Sequence, residues 1–207
     1  MLKSKFDTEK ISVKIGLMFS GFGLSPNTWT LLALIPAIFG FLSLCSGYLF
    51  TALIMFLISG FIDAIDGAVA RVTGSVTAMG AFLDGIIDRY VEILIYLGLL
   101  FFLPMETEFY LPNPVWLALL IFGALMPTYI RAYADHRNVV TEPEDHKKMG
   151  GLLERTERLS ILYIGMLFGS HDQNFLIYFI AILAILANLT ALQRLWFVVN
   201  YRKRGHA

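Results

Sequence analysis

Residues 49–70 read LFTALIMFLISGFIDAIDGAVA, and the charged residues in this run are Asp63 and Asp66. A helix needs about 20 apolar residues to cross the ~30 Å hydrocarbon core of a bilayer. The whole chain is similarly apolar, since 57% of its 207 residues are hydrophobic and 15% are charged, with a mean hydropathy of +0.68. Soluble domains carry about 25% charged residues. The composition predicts an integral membrane protein and excludes a disordered or collagen-like chain, and the single cysteine, Cys45, excludes a secreted disulfide scaffold.

Six apolar runs predict an all-α fold with six transmembrane helices in a single domain, residues 1–207. The predicted spans are Trp29–Ser46, Leu49–Ala70, Ala81–Leu103, Pro114–Ala134, Leu159–Gly169 with a polar N-terminal extension, and Asn174–Tyr201. Residues 1–25 precede this core of residues 29–201. Within them, Asp7–Leu24 mixes apolar and basic residues, which predicts an amphipathic helix at the membrane interface; the alternative is a frayed soluble tail. We expect no targeting peptide, because Met1–Phe6 is basic and polar.

The positions of the basic residues predict the orientation. The chain has 16 Lys and Arg and 16 Asp and Glu, a net charge of zero. The connections Cys45–Phe50, Pro104–Asn113 and Gly169–Gln173 contain no Lys or Arg. Lys and Arg are retained in cytoplasmic loops. We therefore expect a multi-pass protein of the plasma membrane with both termini and its functional groups on the cytoplasmic side.

Four aspartates lie in otherwise apolar sequence. Asp63 and Asp66 are three residues apart, and Asp84 and Asp88 are four apart, so each pair shares one face of its helix. The eight residues that connect the two motif halves allow the pairs to face one another near the cytoplasmic membrane edge. Unpaired carboxylates at membrane depth are costly, and hard oxygen ligands favour Mg²⁺, Mn²⁺ or Ca²⁺. This predicts a site for one or two divalent cations, suited to phosphoryl-type displacement.

A small recess and a cation adjoin these acids. Gly67 and Ala70 fall on one helical side, where a flat group could approach the backbone, and Arg71 could reach a phosphate. Alternatively, the two small residues allow close helix packing and Arg71 anchors the helix at the membrane edge. A purely structural salt-bridge network is disfavoured for the four acids, because Arg71 and Arg89 are too few to neutralise them.

A basic cluster is predicted downstream, from Arg131, Arg155 and Arg158, with Lys148 as a further contact. Arg155 and Arg158 are three residues apart, and arginine binds phosphate oxygens in a bidentate manner. The cluster is therefore suited to a phosphate dianion. The alternative is that these arginines pair with neighbouring glutamates or with lipid headgroups.

The ordered pattern Asp-x2-Asp-Gly-x2-Ala-Arg-x8-Gly-x3-Asp-x3-Asp is complete from Asp63 to Asp88. It resembles the signature of the CDP-alcohol phosphotransferases, and Gly23-Leu-Ser-Pro26-Asn27-x-x-Thr30 is similar to the segment that begins that family's first span. The resemblance implies transfer of a substituted phosphate from a CDP-linked donor to a hydroxyl, with release of CMP. It implies two Mg²⁺ or Mn²⁺ ions and a homodimer. The implied metal ligands are Asp63, Asp66, Asp84 and Asp88, with Asp88 also the catalytic general base; the implied donor contacts are Asn27, Thr30, Asp66, Gly67, Ala70 and Arg71.

Tyr-x-Arg-Ala-x-Ala-acid from Tyr129, followed by Gly-x3-Glu-Arg-x2-Arg-Leu from Gly150, resembles one subgroup of that family. That subgroup makes phosphatidylinositol phosphate from CDP-diacylglycerol and inositol phosphate, or uses CDP-archaeol in its archaeal counterpart. Asp135 and Thr156 depart from the residues frequent there. Glycerol 3-phosphate or inositol as acceptor, CDP-inositol as donor, and a cation transporter remain alternatives. We expect membrane lipid as a partner, and we do not expect nucleic acid.

Overall fold

A computed structural model of the chain describes residues 8–105 and 110–201, and every regular element in those ranges is an α-helix. The chain divides into two compact units, Met1–Phe102 and Leu103–Ala207. Predictions for Met1–Phe6 and for residues 106–109 and 202–207 lie outside the described residues. The all-α class is confirmed for the part of the chain that the structure describes.

The first unit contains five described helices: α1 (Thr8–Ser20), α2 (Pro26–Leu32), α3 (Leu34–Cys45), α4 (Leu49–Thr73) and α5 (Ala78–Phe102). Ser25 caps α2, because its side chain accepts a hydrogen bond from the backbone N–H of Thr28, and Pro26 follows at the first helical position. Proline removes one backbone donor and clashes with the carbonyl four residues earlier. Pro36 therefore interrupts the helix at Leu32, which separates α2 from α3 within one apolar segment.

Helix α4 is the centre of this unit and packs against α1, α2 and α3. Close packing is set by glycines: a Cβ on Gly40 of α3 would lie 3.0 Å from the ring of Phe56. Likewise, a Cβ on Gly98 of α5 would lie 2.5 Å from the side chain of Leu44. The buried Ser59 hydroxyl of α4 donates to the Ala33 carbonyl at the break between α2 and α3, 2.8 Å away. These contacts pack α3 against α4 and α5 and tie the break between α2 and α3 to α4.

The connection between α4 and α5 is short. Gly74 ends α4 with a φ of 66°, in the left-handed region that glycine adopts without steric cost. The Ser75 amide donates to the Ala70 carbonyl, 3.0 Å away, which closes the last turn of the helix. Because α5 begins at Ala78, the last turns of α4 and the first turns of α5 stay close together.

The second unit contains α6 (Asn113–His136), α7 (Pro143–Lys148), α8 (Arg155–Gly169) and α9 (Gln173–Tyr201). Helix α9 packs against both α6 and α8. A Cβ on Gly123 of α6 would lie 2.8 Å from the Ala187 side chain, and one on Gly165 of α8 would lie 2.7 Å from Phe179. Glycines on α6 and α8 therefore let both helices approach α9 closely.

Four helical segments among the described residues are long and apolar enough to cross a membrane. They are Pro26–Cys45, Leu49–Thr73, Asn113–His136 and Gln173–Tyr201. They correspond to four of the six predicted spans. Of the other two predicted spans, α5 carries four charged residues in its first two thirds, Asp84, Asp88, Arg89 and Glu92, and α8 has 15 residues. The count of six and the interfacial location of α1 remain predictions.

Candidate active site

Three of the four predicted metal ligands come together in the first unit. Carboxylate oxygens of Asp63, Asp66 and Asp84 all lie within 4.8 Å of one another. Helix α4 supplies the first two from one face and α5 supplies the third. Opposite oxygen ligands of a Mg²⁺ ion lie about 4.2 Å apart, and those of Ca²⁺ slightly farther. The three carboxylates are thus spaced to hold a hard divalent cation after small side-chain rotations.

The carboxylate of Asp66 is positioned by a neighbouring helix. The Thr30 hydroxyl, on α2, donates to Asp66 Oδ2 at 2.5 Å. Both side chains are buried, with Thr30 3% and Asp66 8% exposed. A buried carboxylate needs compensating polar contacts, and partners of this kind orient metal ligands. Thr30 therefore acts on the site through Asp66 as well as lining the cleft described below.

The fourth predicted ligand, Asp88, lies one helical turn after Asp84 on α5 and is half-buried. Its carboxylate is not a member of the close group of three. Four residues along a helix correspond to a rise of about 6 Å. Asp88 therefore projects from the same side of α5 as Asp84 but about 6 Å farther along the axis.

A cleft of about 370 Å³ adjoins the carboxylates. All six residues predicted to contact the donor line it, namely Asn27, Thr30, Asp66, Gly67, Ala70 and Arg71. The connection between α4 and α5 also contributes Ser75, Val76 and Thr77, which the sequence pattern did not single out. Their position between the two halves of the signature was the signal that could have identified them. The cleft therefore joins α2, α4 and α5 around the acidic group.

Glycines keep the walls of this cleft open. A Cβ on Gly67 would lie 3.3 Å from Arg71 Nη1, and a Cβ on Gly80 would lie 3.3 Å from Asn27 Oδ1 and 3.1 Å from Thr77 Oγ1. Such distances are tighter than ordinary van der Waals contacts, so any larger residue would displace polar groups that face the cleft. Packing between helices alone does not explain these two glycines, since the atoms that a Cβ would meet there are hydrogen-bond donors and acceptors of side chains.

Arg71 is held by α1. Its Nη2 donates to the Ser12 hydroxyl at 2.7 Å. Helix α1 approaches α4 closely at Gly16, where a Cβ would lie 2.5 Å from the Ala68 carbonyl oxygen. Sequence reasoning missed Ser12, because no local pattern connects it with a residue 59 positions away. The contact links the N-terminal helix to the cleft.

The second predicted cluster lies in the second unit. Arg131 is exposed on α6, whereas Arg155 is half-buried and Arg158 is 2% exposed on the first turns of α8. The glutamates between these arginines cap the helix: Glu154 accepts from the Glu157 amide, and the Glu157 carboxylate accepts from the Glu154 amide at 3.1 Å. The two arginines therefore occupy defined positions on a capped helix.

Lys148, the fourth predicted contact of that cluster, lines another cleft of the second unit. None of the three arginines is among the residues that line it. Lys148 Nζ donates to Asp145 Oδ1 at 2.7 Å. Its predicted role toward an acceptor phosphate stays a prediction.

Known proteins are similar over most of the chain. Residues 24–201 match the CDP-alcohol phosphatidyltransferase family. The archaetidylinositol phosphate synthase of Pyrococcus horikoshii is 28% identical over 185 residues, which cover 88% of each chain. That of Methanothermobacter thermautotrophicus is 33% identical over 168 residues, covering 77% of this chain and 78% of the relative.

Solved structures of a relative have a fold similar to that of this chain. The crystal structure of Mycobacterium tuberculosis phosphatidylinositol phosphate synthase with CDP-DAG bound has a TM-score of 0.78 and 26% identity, covering 91% of this chain and 94% of that one. The same enzyme in complex with manganese and citrate has a TM-score of 0.76 and 26% identity, over 91% and 88% of the two chains. With the signature complete in its sequence and the family match covering residues 24–201, the chain belongs to the CDP-alcohol phosphatidyltransferase family.

Proposed function

We propose that the protein transfers a phosphatidyl or archaetidyl group from a CDP-linked lipid to a hydroxyl of inositol phosphate. The observation that carries this proposal is that a cleft lined by all six predicted donor contacts adjoins a cluster of three carboxylates. The names of the relatives, which are inositol phosphate lipid synthases, support the acceptor. The reaction forms a bond from the acceptor oxygen to the donor's lipid-linked phosphorus and breaks the bond from that phosphorus to CMP, which leaves.

The carboxylates are suited to bind Mg²⁺ or Mn²⁺. Asp63, Asp66 and Asp84 offer only oxygen atoms, the ligands that these hard cations prefer. A relative crystallised with manganese supports this choice of metal. When bound, such a cation would stabilise the negative charge of the donor's pyrophosphate. We propose two ions, because Asp88 lies one turn beyond the close group, where it could contribute to a second position.

Asp88 is proposed as the general base. A carboxylate one turn along α5 from Asp84 would be set beside the reacting phosphorus of a donor whose pyrophosphate is held at the clustered ligands. There it can accept the proton of the acceptor hydroxyl as the new oxygen–phosphorus bond forms. The position of Asp88 on the side of α5 that carries Asp84 supports this role.

The cleft is proposed to bind the CDP part of the donor. The open walls at Gly67 and Gly80 let a flat base or a sugar approach the backbone, and Asn27 supplies amide hydrogen-bonding groups. Arg71 supplies a guanidinium for a phosphate. A relative with CDP-DAG bound supports this ligand class.

The acceptor's phosphate is proposed to bind at Arg131, Arg155 and Arg158. An acceptor that already carries a phosphate dianion needs cations to hold it, and guanidinium groups bind such dianions through paired hydrogen bonds. The capping of α8 by its own glutamates fixes the first turns, where two of these arginines lie. Lys148 remains a predicted fourth contact, although it lines a cleft that none of these arginines lines.

We further propose six spans, an interfacial α1, a cytoplasmic active site in the plasma membrane, and a homodimer. The placement of the basic residues and the exposed apolar side chains of α1, such as Leu17 and Met18 at 60% and 63%, support the membrane arrangement. The single exposed thiol at Cys45 offers a test of topology. A membrane-impermeant maleimide should label it from the outer side of intact cells.

The proposed reaction is tested by measuring CMP release from purified protein with CDP-diacylglycerol or CDP-archaeol. The acceptors compared are inositol phosphate, inositol, glycerol 3-phosphate and serine. We expect release with inositol phosphate that stops on chelation with EDTA and returns with Mg²⁺ or Mn²⁺. Faster release with glycerol 3-phosphate or inositol would show that this compound, and not inositol phosphate, is the acceptor. Release that is insensitive to chelation would overturn the metal-dependent mechanism.

A further inference from the structure

A second cleft, of about 460 Å³, lies in the unit Leu103–Ala207 between the end of α7 and the last turns of α9. Helix α9 contributes Gln193, Trp196, Asn200 and Tyr201 to its wall. Gln193, Trp196 and Asn200 share one helical face, because they are separated by three and four residues, and Tyr201 follows Asn200 directly. The reaction proposed above uses none of these four side chains.

One carboxylate organises the polar wall of this second cleft. Asp145 Oδ1 accepts from Lys148 Nζ, and its Oδ2 accepts from the Tyr201 hydroxyl, each at 2.7 Å. The hydrogen bond and the negative charge of Asp145 raise the pKa of Lys148, so its ammonium stays charged at neutral pH. That ammonium has three donors and a side chain that is 65% exposed, which leaves it accessible to a ligand oxygen. The wall therefore presents a cation and an anion side by side.

The amides complete a wall of donors and acceptors. Gln193 Oε1 accepts from the Leu152 backbone amide at 3.0 Å, which fixes this side chain and leaves its amide donors for another group. Asn200 donates to the Trp196 carbonyl at 2.9 Å and keeps its own carbonyl oxygen as an acceptor. Polar groups of both kinds beside an aromatic ring suit a ligand that carries hydroxyl groups.

The position along α9 places this second cleft at headgroup level. The helix has 29 residues and a length of about 44 Å, against about 30 Å of hydrocarbon. The surplus lies at the polar C-terminal end, where the cleft opens. There Trp196 is 72% exposed, close to the exposed apolar Leu192 and Val199. Exposed Trp beside Tyr is typical of the membrane–water interface.

We propose that this second cleft binds the headgroup of a phospholipid whose phosphodiester carries a polyol. Lys148 binds a phosphodiester oxygen, and Asp145, Gln193 and Asn200 exchange hydrogen bonds with the hydroxyl groups. The paired charges of Lys148 and Asp145 favour a phosphodiester with a single negative charge over a free phosphate dianion, which would meet Asp145 without a second cation. This site is separate from the donor cleft and does not rest on the proposed reaction.

The test is native mass spectrometry of the detergent-purified full chain, titrated with phosphatidylglycerol, phosphatidic acid or phosphatidylcholine. We expect phosphatidylglycerol to be retained most strongly, because it alone of the three combines a phosphodiester charge with free hydroxyls. Lys148→Met should lower its retention about tenfold, because the phosphodiester loses its charge-assisted hydrogen bond to the ammonium. The matched control is Lys147→Met, which removes an exposed neighbouring charge that does not line this cleft.

Three results would overturn the proposal. The first is equal loss of phosphatidylglycerol retention in the two lysine variants, which would indicate general surface charge. The second is equal retention of phosphatidic acid and phosphatidylglycerol, which would show that the cleft does not recognise the polyol. The third comes from a parallel titration with free inositol phosphate. If Lys148→Met weakens that ligand and leaves lipid retention intact, Lys148 belongs to the acceptor site.

Discussion

Replacing Gly67 with alanine should stabilise α4 and at the same time weaken binding of the CDP-linked donor. Glycine in a helix interior costs about 1 kcal/mol relative to alanine, so the substitution favours the helix. The added Cβ would lie 3.3 Å from Arg71 Nη1 and 3.8 Å from Arg71 Cζ. The guanidinium must then shift, and the methyl group also fills part of the cleft wall. Stability and donor affinity are therefore expected to change in opposite directions.

The magnitude follows from the interaction that is displaced. A hydrogen bond between an arginine and a phosphate contributes about 1.5–3 kcal/mol, and each 1.4 kcal/mol is about tenfold in affinity. Loss of one such bond from Arg71 should raise the KM for the donor about 10- to 100-fold. The KM for the acceptor should change little, because neither Gly67 nor Arg71 belongs to the proposed acceptor site.

Gly60 offers a matched control on the same helix. A Cβ at Gly60 would meet no atom within 4 Å, so Gly60→Ala gains the same helix propensity without disturbing the cleft. CMP release as a function of donor concentration, together with thermal unfolding of both variants, gives the comparison. An unchanged donor KM in Gly67→Ala, or an equal increase in the two variants, would refute the reasoning.

Three other substitutions test individual roles. Asp88→Asn should lower kcat about 10²- to 10⁴-fold, the usual contribution of a general base, while equilibrium binding of CDP persists; near-normal turnover would contradict the role. Thr30→Val should weaken activation by Mg²⁺ about 10- to 100-fold, because Asp66 loses an orienting partner, and Thr30→Ser should restore it. CMP release measured as a function of metal concentration tests both variants. An unaltered metal titration in Thr30→Val would contradict the positioning role of Thr30. Arg155→Ala should raise the KM for inositol phosphate far more than that for the donor, as measured by varying each substrate in turn; equal increases would remove Arg155 from the acceptor site.

Local helical spacing made the acidic site predictable. Asp63 and Asp66 share a face through the three-residue interval alone, and the complete signature relates them to Asp84 across a short connection. The structure brings those three carboxylates together. The four-residue spacing of Asp84 and Asp88 puts both on one side of α5 and about 6 Å apart along its axis, and the contact of Asp88 with a metal stays a prediction.

Contacts between distant segments were beyond the sequence pattern. Thr30 and Asp66 are 36 residues apart, and Ser12 and Arg71 are 59 apart. Each pair depends on how a neighbouring helix packs against α4, which helical periodicity does not determine. Pattern reasoning could place Thr30 near the donor through the family resemblance, but its hydrogen bond to Asp66 needed the packed helices.

Charged residues three positions apart have different functions at different places in a helix, which explains why the role of Lys148 could not be inferred from charge alone. In the interior of α4 both side chains of such a pair lie on the same side of the helix and can share a ligand. On the short α7 the pair joins opposite charges, and at the N-terminus of α8 it closes a capping box around exposed backbone amides. The three pairs are Asp63 with Asp66, Asp145 with Lys148, and Glu154 with Glu157. A prediction that groups basic residues by charge leaves out their place in the helix. The helix ends and their packing decide whether a charged side chain faces a ligand, another side chain or the backbone.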